Sequence, residues 1–176
     1  MSILNSLMKL ERHFSLWLFI FILATSSMAV ALYYQYALAW EPCVLCIHVR
    51  IIMLGLMLLS LLMIFLSKFK VIRLMGFLIQ SVLAVLLFLK CRELYRVEAG
   101  LADAGCMFSA NLPEWFNLEV WWPSVFEVRT ACGDSPELFF NISMAEGLYI
   151  GSAIAMVLAI ALTLLSFFCL SKSHLK

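Results

Sequence analysis

Two cysteines separated by two residues stand in the stretch Glu41-Pro42-Cys43-Val44-Leu45-Cys46, and Arg50 follows the second of them by four positions. That spacing is suited to thiol–disulfide exchange. Proline fits the first turn of a helix, so Pro42 predicts that a helix opens here with Cys43 and Cys46 in its first turn. Sulfurs in that position meet the positive end of the helix dipole and unpaired backbone amides, which favour the anion that exchange chemistry needs. Residues four apart share a helix face, so Arg50 sets a fixed cation beside Cys46. It could anchor a carbonyl oxygen; the competing use is a side chain snorkelling to lipid headgroups. His48 lies between them and could donate a proton, with an incidental interfacial histidine as the plain alternative.

A second pair, Cys106 and Cys132, lies far downstream. Four cysteines allow three pairings, so the connectivity stays open on spacing alone. The same residues could form a zinc site, with Cys43 and Cys46 as one half and Cys106 and Cys132, or His48, as the other. Against it, the second pair is 26 positions apart (132 minus 106) and lacks the close spacing of zinc ribbons, so no metal is expected. Between Cys106 and Cys132 runs Leu112-Pro113-Glu114-Trp115-Phe116-Asn117-Leu118-Glu119-Val120-Trp121-Trp122-Pro123. Dense in tryptophan, yet broken by acids and prolines, it suits a short helix lying in a membrane interface. Held there, the second pair would stay close to the bilayer and within reach of Cys43. A loop folded on itself around a structural disulfide is the other reading.

The elements that must position these residues follow from composition. Of 176 residues, 65% are hydrophobic and 13% charged, against a usual charged share of about 25%, so a soluble fold could not hide the apolar surface. A formal net charge of +1 without a basic run gives no reason to expect nucleic acid. The charges leave four long gaps, each near the roughly 20 residues a spanning helix needs. Predicted spans are 14–36, 47–67, 71–89 and 147–170. Backbone groups inside a bilayer must be paired within the segment, which selects helices over strands. The expected fold is therefore all-α: one integral membrane domain, a four-helix bundle, with loops at 37–46 and 90–146 on one side, the long one carrying the short interfacial helix.

Orientation follows from the basic residues near the membrane ends. Lys9, Arg12, Lys68, Lys70, Arg73, Lys172 and Lys176 gather on one side, opposed only by Glu11, and that side is expected to be the cytoplasm. Both termini then lie in the cytoplasm, and Cys43, Cys46, Cys106 and Cys132 face a compartment that can be oxidising. A cleavable signal peptide is the alternative for the first stretch, since Ala29-Val30-Ala31 resembles a cleavage site. The apolar run continues to Trp40, longer than the usual core of roughly 7 to 15 residues, which favours a retained span. Cys169, deep in the fourth span, reads as an apolar filler. Cys91, at the outer end of the third span, reads as a filler too, with a thiolate stabilised by its neighbours Lys90 and Arg92 as the alternative.

Four spans, Pro-Cys-Val-Leu-Cys with an arginine four places on, and a spaced cysteine pair around Pro-Glu-Trp closely resemble the bacterial disulfide-bond formation protein B (DsbB) family over nearly the whole chain. The resemblance implies an inner-membrane thiol:quinone oxidoreductase. A reduced periplasmic carrier of the DsbA type would attack a Cys106–Cys132 disulfide, with Cys106 forming the mixed disulfide. Electrons would pass to Cys43 and Cys46, and Cys46 would react with ubiquinone or menaquinone from the quinone pool in the surrounding lipid, supported by Arg50 and with His48 nearby. The chain departs from the common pattern at Val49, where a glutamate is frequent, around Arg92 and Glu93, where a histidine is expected, and at Met144-Ala145-Glu146-Gly147, which replaces Met-Pro-x-Trp. Two other readings predict different behaviour. A structural tetraspan stapled by inert disulfides would pass no electrons to quinone, and a paralogue of the same enzyme would serve one dedicated carrier.

Overall fold

A computed structural model describes residues 14–67, 69–101, 117–130, 136 and 142–174. Six helices are formed among them: α1 (Phe14–Ala37), α2 (Val44–Leu66), α3 (Lys70–Glu98), α4 (Leu118–Trp121), α5 (Pro123–Phe126) and α6 (Met144–His174). Four of these, α1, α2, α3 and α6, are long and apolar enough to cross a membrane. The shortest, α2, has 23 residues and rises roughly 34 Å at 1.5 Å per residue, more than a hydrocarbon core of about 30 Å. Their apolar residues surround the helix rather than forming one stripe, as a lipid solvent allows. Phe19, Ile22, Leu62, Phe65, Val82 and Phe167 accordingly point outward.

Packing runs in sequence order, α1 on α2, α2 on α3 and α3 on α6. At the core, Val49 and Leu56 of α2 meet Ala24 of α1 and Leu87 and Cys91 of α3. Where α2 returns into α3, Trp17 stacks on Phe77 with ring centroids 5.1 Å apart, and Met63 packs against both. Gly76 is small for a reason: a Cβ there would stand 2.5 Å from Met63 Cε. Lipid gives no hydrophobic drive between helices, so polar side chains serve as glue. Between α3 and α6, Ser81 Oγ and Thr163 Oγ1 are 2.7 Å apart, and Thr163 Oγ1 lies 3.0 Å from the Phe77 carbonyl oxygen. By contrast α1 and α6 face each other across a cavity of about 320 Å³.

Three local features differ from the expectation of the sequence. The second span opens at Val44 with Cys43 as its N-cap, so Pro42 precedes the helix instead of lying in its first turn. Helix α3 continues to Glu98, through residues assigned to a loop, because Leu94 of that extension packs on Cys43, Leu45 and Ala145. It stops at Gly100, whose φ of +67° is open to glycine. There the Leu101 N–H donates to the Arg96 carbonyl at 2.9 Å and the Gly100 N–H to the Val97 carbonyl at 3.1 Å, the paired closure of a Schellman motif. Third, the interfacial segment is two four-residue helices. Pro123 disfavours helical backbone at the residue before it, and Trp122 is extended at φ −143°.

Helix α6 begins with a capping box that the sequence announces as Ser143-Met-Ala-Glu146. The Glu146 N–H donates to Ser143 Oγ at 3.1 Å, and the Ser143 N–H to Glu146 Oε2 at 3.3 Å. This pairing satisfies two amides that a helix start otherwise leaves open. The Ser143 hydroxyl also donates to Glu98 Oε2 at 3.0 Å, fastening the end of α3 to the start of α6.

Candidate active site: a dithiol at the mouth of the second span

Cys43 and Cys46 occupy the N-cap and third positions of α2. Their sulfurs are 3.0 Å apart, Cys43 Sγ donating to Cys46 Sγ, so the pair is held as neighbouring thiols in reach of a covalent bond. The Cys43 carbonyl accepts the first helical hydrogen bond, from the Ile47 N–H at 3.0 Å. Amides of the first turn are left pointing at the sulfurs' end of the helix. Cys43 is buried, while Cys46 is half-buried and faces a small cavity of about 70 Å³. From α2 and its N-cap that cavity takes Cys43, Cys46, Val49, Arg50 and Met53; the rest of its wall comes from α1, α3, the start of α6, the Trp40-Glu41-Pro42 stretch before α2, and Pro136.

Arg50 is the electrostatic centre of the site. It is only 6% exposed and turns inward, so it does not snorkel. Its Nη1 donates to Gln35 Oε1 at 2.6 Å and to the Val125 carbonyl at 2.8 Å, and its Nη2 to the Ala31 carbonyl at 3.3 Å. All three acceptors are formally neutral. The groups near Arg50 that can carry negative charge are Cys46, Tyr36 and Cys43. Among the described residues the ion pairs are Lys90 with Glu93 and Arg129 with Glu127, both exposed. A buried cation with uncharged hydrogen-bond partners keeps its charge available, and negative charge developing on Cys46 meets both it and the helix dipole. Of its five N–H donors, three are engaged among the described residues, which leaves two there for another oxygen.

Gln35 was not anticipated. It carries two jobs: accepting from Arg50, and donating its Nε2–H to the Ser124 carbonyl at 3.0 Å. Tyr36 donates its hydroxyl to the same carbonyl at 2.5 Å. A glutamine closing a 24-residue apolar helix is itself a signal, since polar side chains inside spans are costly and usually partnered. The Val125 and Ser124 contributions are backbone carbonyls, for which side-chain identity gives no clue. They arrive because Phe126, 1% exposed, and Leu118 pack on Ile47, with Ile51 and Leu54 alongside. On the other face Val120, Trp121 and Trp122 stay exposed, as an interfacial helix requires.

His48 is half-buried and lies outside the cavity wall; its Nδ1 is buried without a partner. Cys106 and Cys132 lie outside the described residues. The backbone leading toward Cys132 is docked on the dithiol strand, with the Arg129 N–H donating to the Pro42 carbonyl at 3.1 Å. Cys91 is fully buried in the core between α2 and α3, and the Cys169 side chain is not among those described. Among the described residues, no three His, Cys, Asp or Glu side chains converge on a point that could hold a metal ion.

Comparison with known proteins agrees with this geometry. A family model described as Disulfide bond formation protein DsbB matches residues 12–162. The disulfide bond formation protein B of Shewanella denitrificans is 31% identical over 161 residues, covering 89% of this chain and 92% of the relative. That of Shewanella frigidimarina is 36% identical over 125 residues, 70% and 74% of the two chains. The Haemophilus influenzae protein of the same name is 30% identical over 136 residues, 74% and 76%.

Proposed function

Since the chain belongs to the disulfide bond formation protein DsbB family, and is thereby a thiol oxidoreductase, we propose that it reoxidises a periplasmic dithiol carrier of the DsbA type and delivers the electrons to a membrane quinone. The observation that carries this reading is the dithiol at the N-terminus of α2, its sulfurs 3.0 Å apart, opening on a cavity that also holds the buried cation of Arg50, whose hydrogen-bond acceptors among the described residues are neutral.

The proposed exchange balances in two steps. A thiolate of the reduced carrier attacks a Cys106–Cys132 disulfide at Cys106; the carrier's second thiolate then resolves the mixed disulfide, leaving carrier disulfide and two thiols on this chain. Those thiols reduce a Cys43–Cys46 disulfide in the same way, becoming a disulfide again. Docking of the Arg129 amide on the Pro42 carbonyl supports the approach of the downstream pair to Cys43. Cys46, the less buried sulfur, then faces the cavity with two electrons and two protons to release.

Whether a quinone suits this place can be judged from the walls. The cavity at Cys46 shares Ser27, Met53 and Leu148 with the larger cavity between α1 and α6, so a polar site at Arg50 adjoins an apolar slot fit for an isoprenoid chain. Arg50 would hold a carbonyl oxygen there, and Cys46 would lie beside the ring. A bound quinone supplies the acceptor for two electrons and two protons. Both ubiquinone and menaquinone have the required carbonyl, and the basic residues near the opposite membrane ends support an inner-membrane orientation with the dithiol in the periplasm.

Reconstitution tests the reading: purified chain in lipid with a benzoquinone or naphthoquinone and a reduced thioredoxin-like carrier, following quinone absorbance. Quinone reduction by the native chain is expected, with loss of turnover for Cys43→Ser and Cys46→Ser. Native-rate turnover by Cys46→Ser would overturn the electron route.

A further inference from the structure

The larger cavity contains one feature that the dithiol chemistry does not use. It runs along α3 from Cys91 to Gln80, eleven residues (91 minus 80) or roughly 16 Å at 1.5 Å per residue. Its volume of about 320 Å³ falls in the range of small-molecule sites, about 300–1,000 Å³. Aliphatic side chains from α1, α3 and α6 make most of the wall. Two of the polar residues on it are already spent on their own helices: Ser27 donates to the Leu23 carbonyl and Ser152 to the Tyr149 carbonyl, each at 2.9 Å.

Gln80 is different. It is 8% exposed, lines the cavity, and its Oε1 is buried without a hydrogen-bond partner among the described residues. An unpaired amide in hydrocarbon is destabilising, so a leucine would serve better if the position only packed. A second unused group lies close by. Trp17, stacked on Phe77 one turn before Gln80, has its Nε1 buried without a partner, and its cluster includes Leu16, Ile20 and Leu162 of the cavity wall.

We propose that Gln80 is a binding station for a quinone headgroup deep in the bilayer, on the route between the lipid phase and Cys46. This deepens the quinone reading above and rests on it. A carboxamide is both donor and acceptor. Its Nε2–H groups can donate to the carbonyl oxygen of the oxidised head, and its Oε1 can accept from the hydroxyl of the reduced one, so the same residue serves arrival and departure. An acyl or isoprenoid chain alone would leave the amide unpaired. A water would need two to four polar partners, and Ser27 and Ser152, their hydroxyl protons committed to their own helices, can only accept from it. This cavity adjoins the one at Arg50, with Ser27, Met53 and Leu148 lining both, so a head released from Gln80 is next to the dithiol site.

The test uses the full chain in phosphatidylcholine nanodiscs, a benzoquinone carrying a ten-carbon tail, and a photoreactive azido derivative of it. Labelled residues are mapped by mass spectrometry in the native chain, Gln80→Leu and Gln80→Asn. Native chain should label at two places, near Arg50 and on the α1, α3 or α6 residues around Gln80. Gln80→Leu should lose the deep label about tenfold and keep the one near Arg50; Gln80→Asn should retain part of it. In turnover with reduced carrier, Gln80→Leu should raise KM for the quinone several-fold with kcat unchanged. Equal deep labelling in Gln80→Leu, or none in the native chain, would overturn the station. Absence of quinone reduction with deep labelling intact would instead remove the proposed function and leave a lipophile site, so the two failures are separable.

Discussion

Exchanging Gln35 for glutamate changes one atom type at the point where the site's charge is set. In the native chain the Arg50 guanidinium meets a neutral amide oxygen 2.6 Å away. Gln35→Glu puts a carboxylate there and neutralises the cation. Side chains four apart on a helix are about 6 Å from one another, and at an effective dielectric near 20 two unit charges at that separation interact by roughly 3 kcal/mol. The sign is clear: Arg50 attracts negative charge on Cys46, so a compensating carboxylate makes that charge less favourable. With about 1.4 kcal/mol per tenfold, complete cancellation would lower the anionic fraction of Cys46 by about a hundredfold, and half cancellation by about tenfold. The assay is maleimide alkylation of Cys46 at fixed neutral pH in a Cys43→Ser background, with the modified peptide identified by mass. Gln35→Glu should react about ten to a hundred times more slowly than Gln35. Gln35→Leu, which removes a hydrogen bond and leaves the charge, should react within a few-fold of native while losing about 1.5–3 kcal/mol of stability. Equal rates for Gln35→Glu and the native residue would refute the claim that Arg50 acts on Cys46 through its uncompensated charge.

Two predictions address the scaffold. Ser143→Ala removes a capping hydroxyl and its bond to Glu98 and should cost about 1–2 kcal/mol, read as a lower midpoint of thermal unfolding in detergent. Gly76→Ala should cost little, because the obstructing atoms are the mobile end of Met63, whereas Gly76→Ile should cost about 1–3 kcal/mol by overpacking; the same unfolding assay separates them.

Much of the plan was legible because lipid imposes coarse rules. The four apolar gaps, all-α class and CxxC at a helix mouth each follow from residue type and spacing, and Arg50 four places after Cys46 needs only helix geometry. What was missed is equally physical. The extension of α3 to Glu98 depends on Leu94 finding Cys43, Leu45 and Ala145, a tertiary contact between distant segments. The break at Trp122 was readable in Pro123, whose effect on the preceding residue is local. The Ser143–Glu146 cap was equally open to a sequence pattern. Gln35 was partly legible as a polar side chain in an apolar span, but its partners are carbonyls of Ser124 and Val125, delivered by the packing of Phe126 on α2.

That delivery explains how a cation can lie buried at the dithiol with no carboxylate bonded to it among the described residues. Burying a guanidinium costs several kcal/mol unless its hydrogens are met, and a carboxylate partner would meet them while cancelling the charge. Two backbone carbonyls and an amide oxygen, from α1 and the α4–α5 segment, meet them without cancelling it. The loop is thus a structural part of the electrostatics at Cys46. Displacing α5 from α2 would remove the Val125 carbonyl from Arg50 and the Ser124 carbonyl from Gln35 and Tyr36 together. In the proposed exchange between the two cysteine pairs, any movement of the loop therefore changes the field at Cys46.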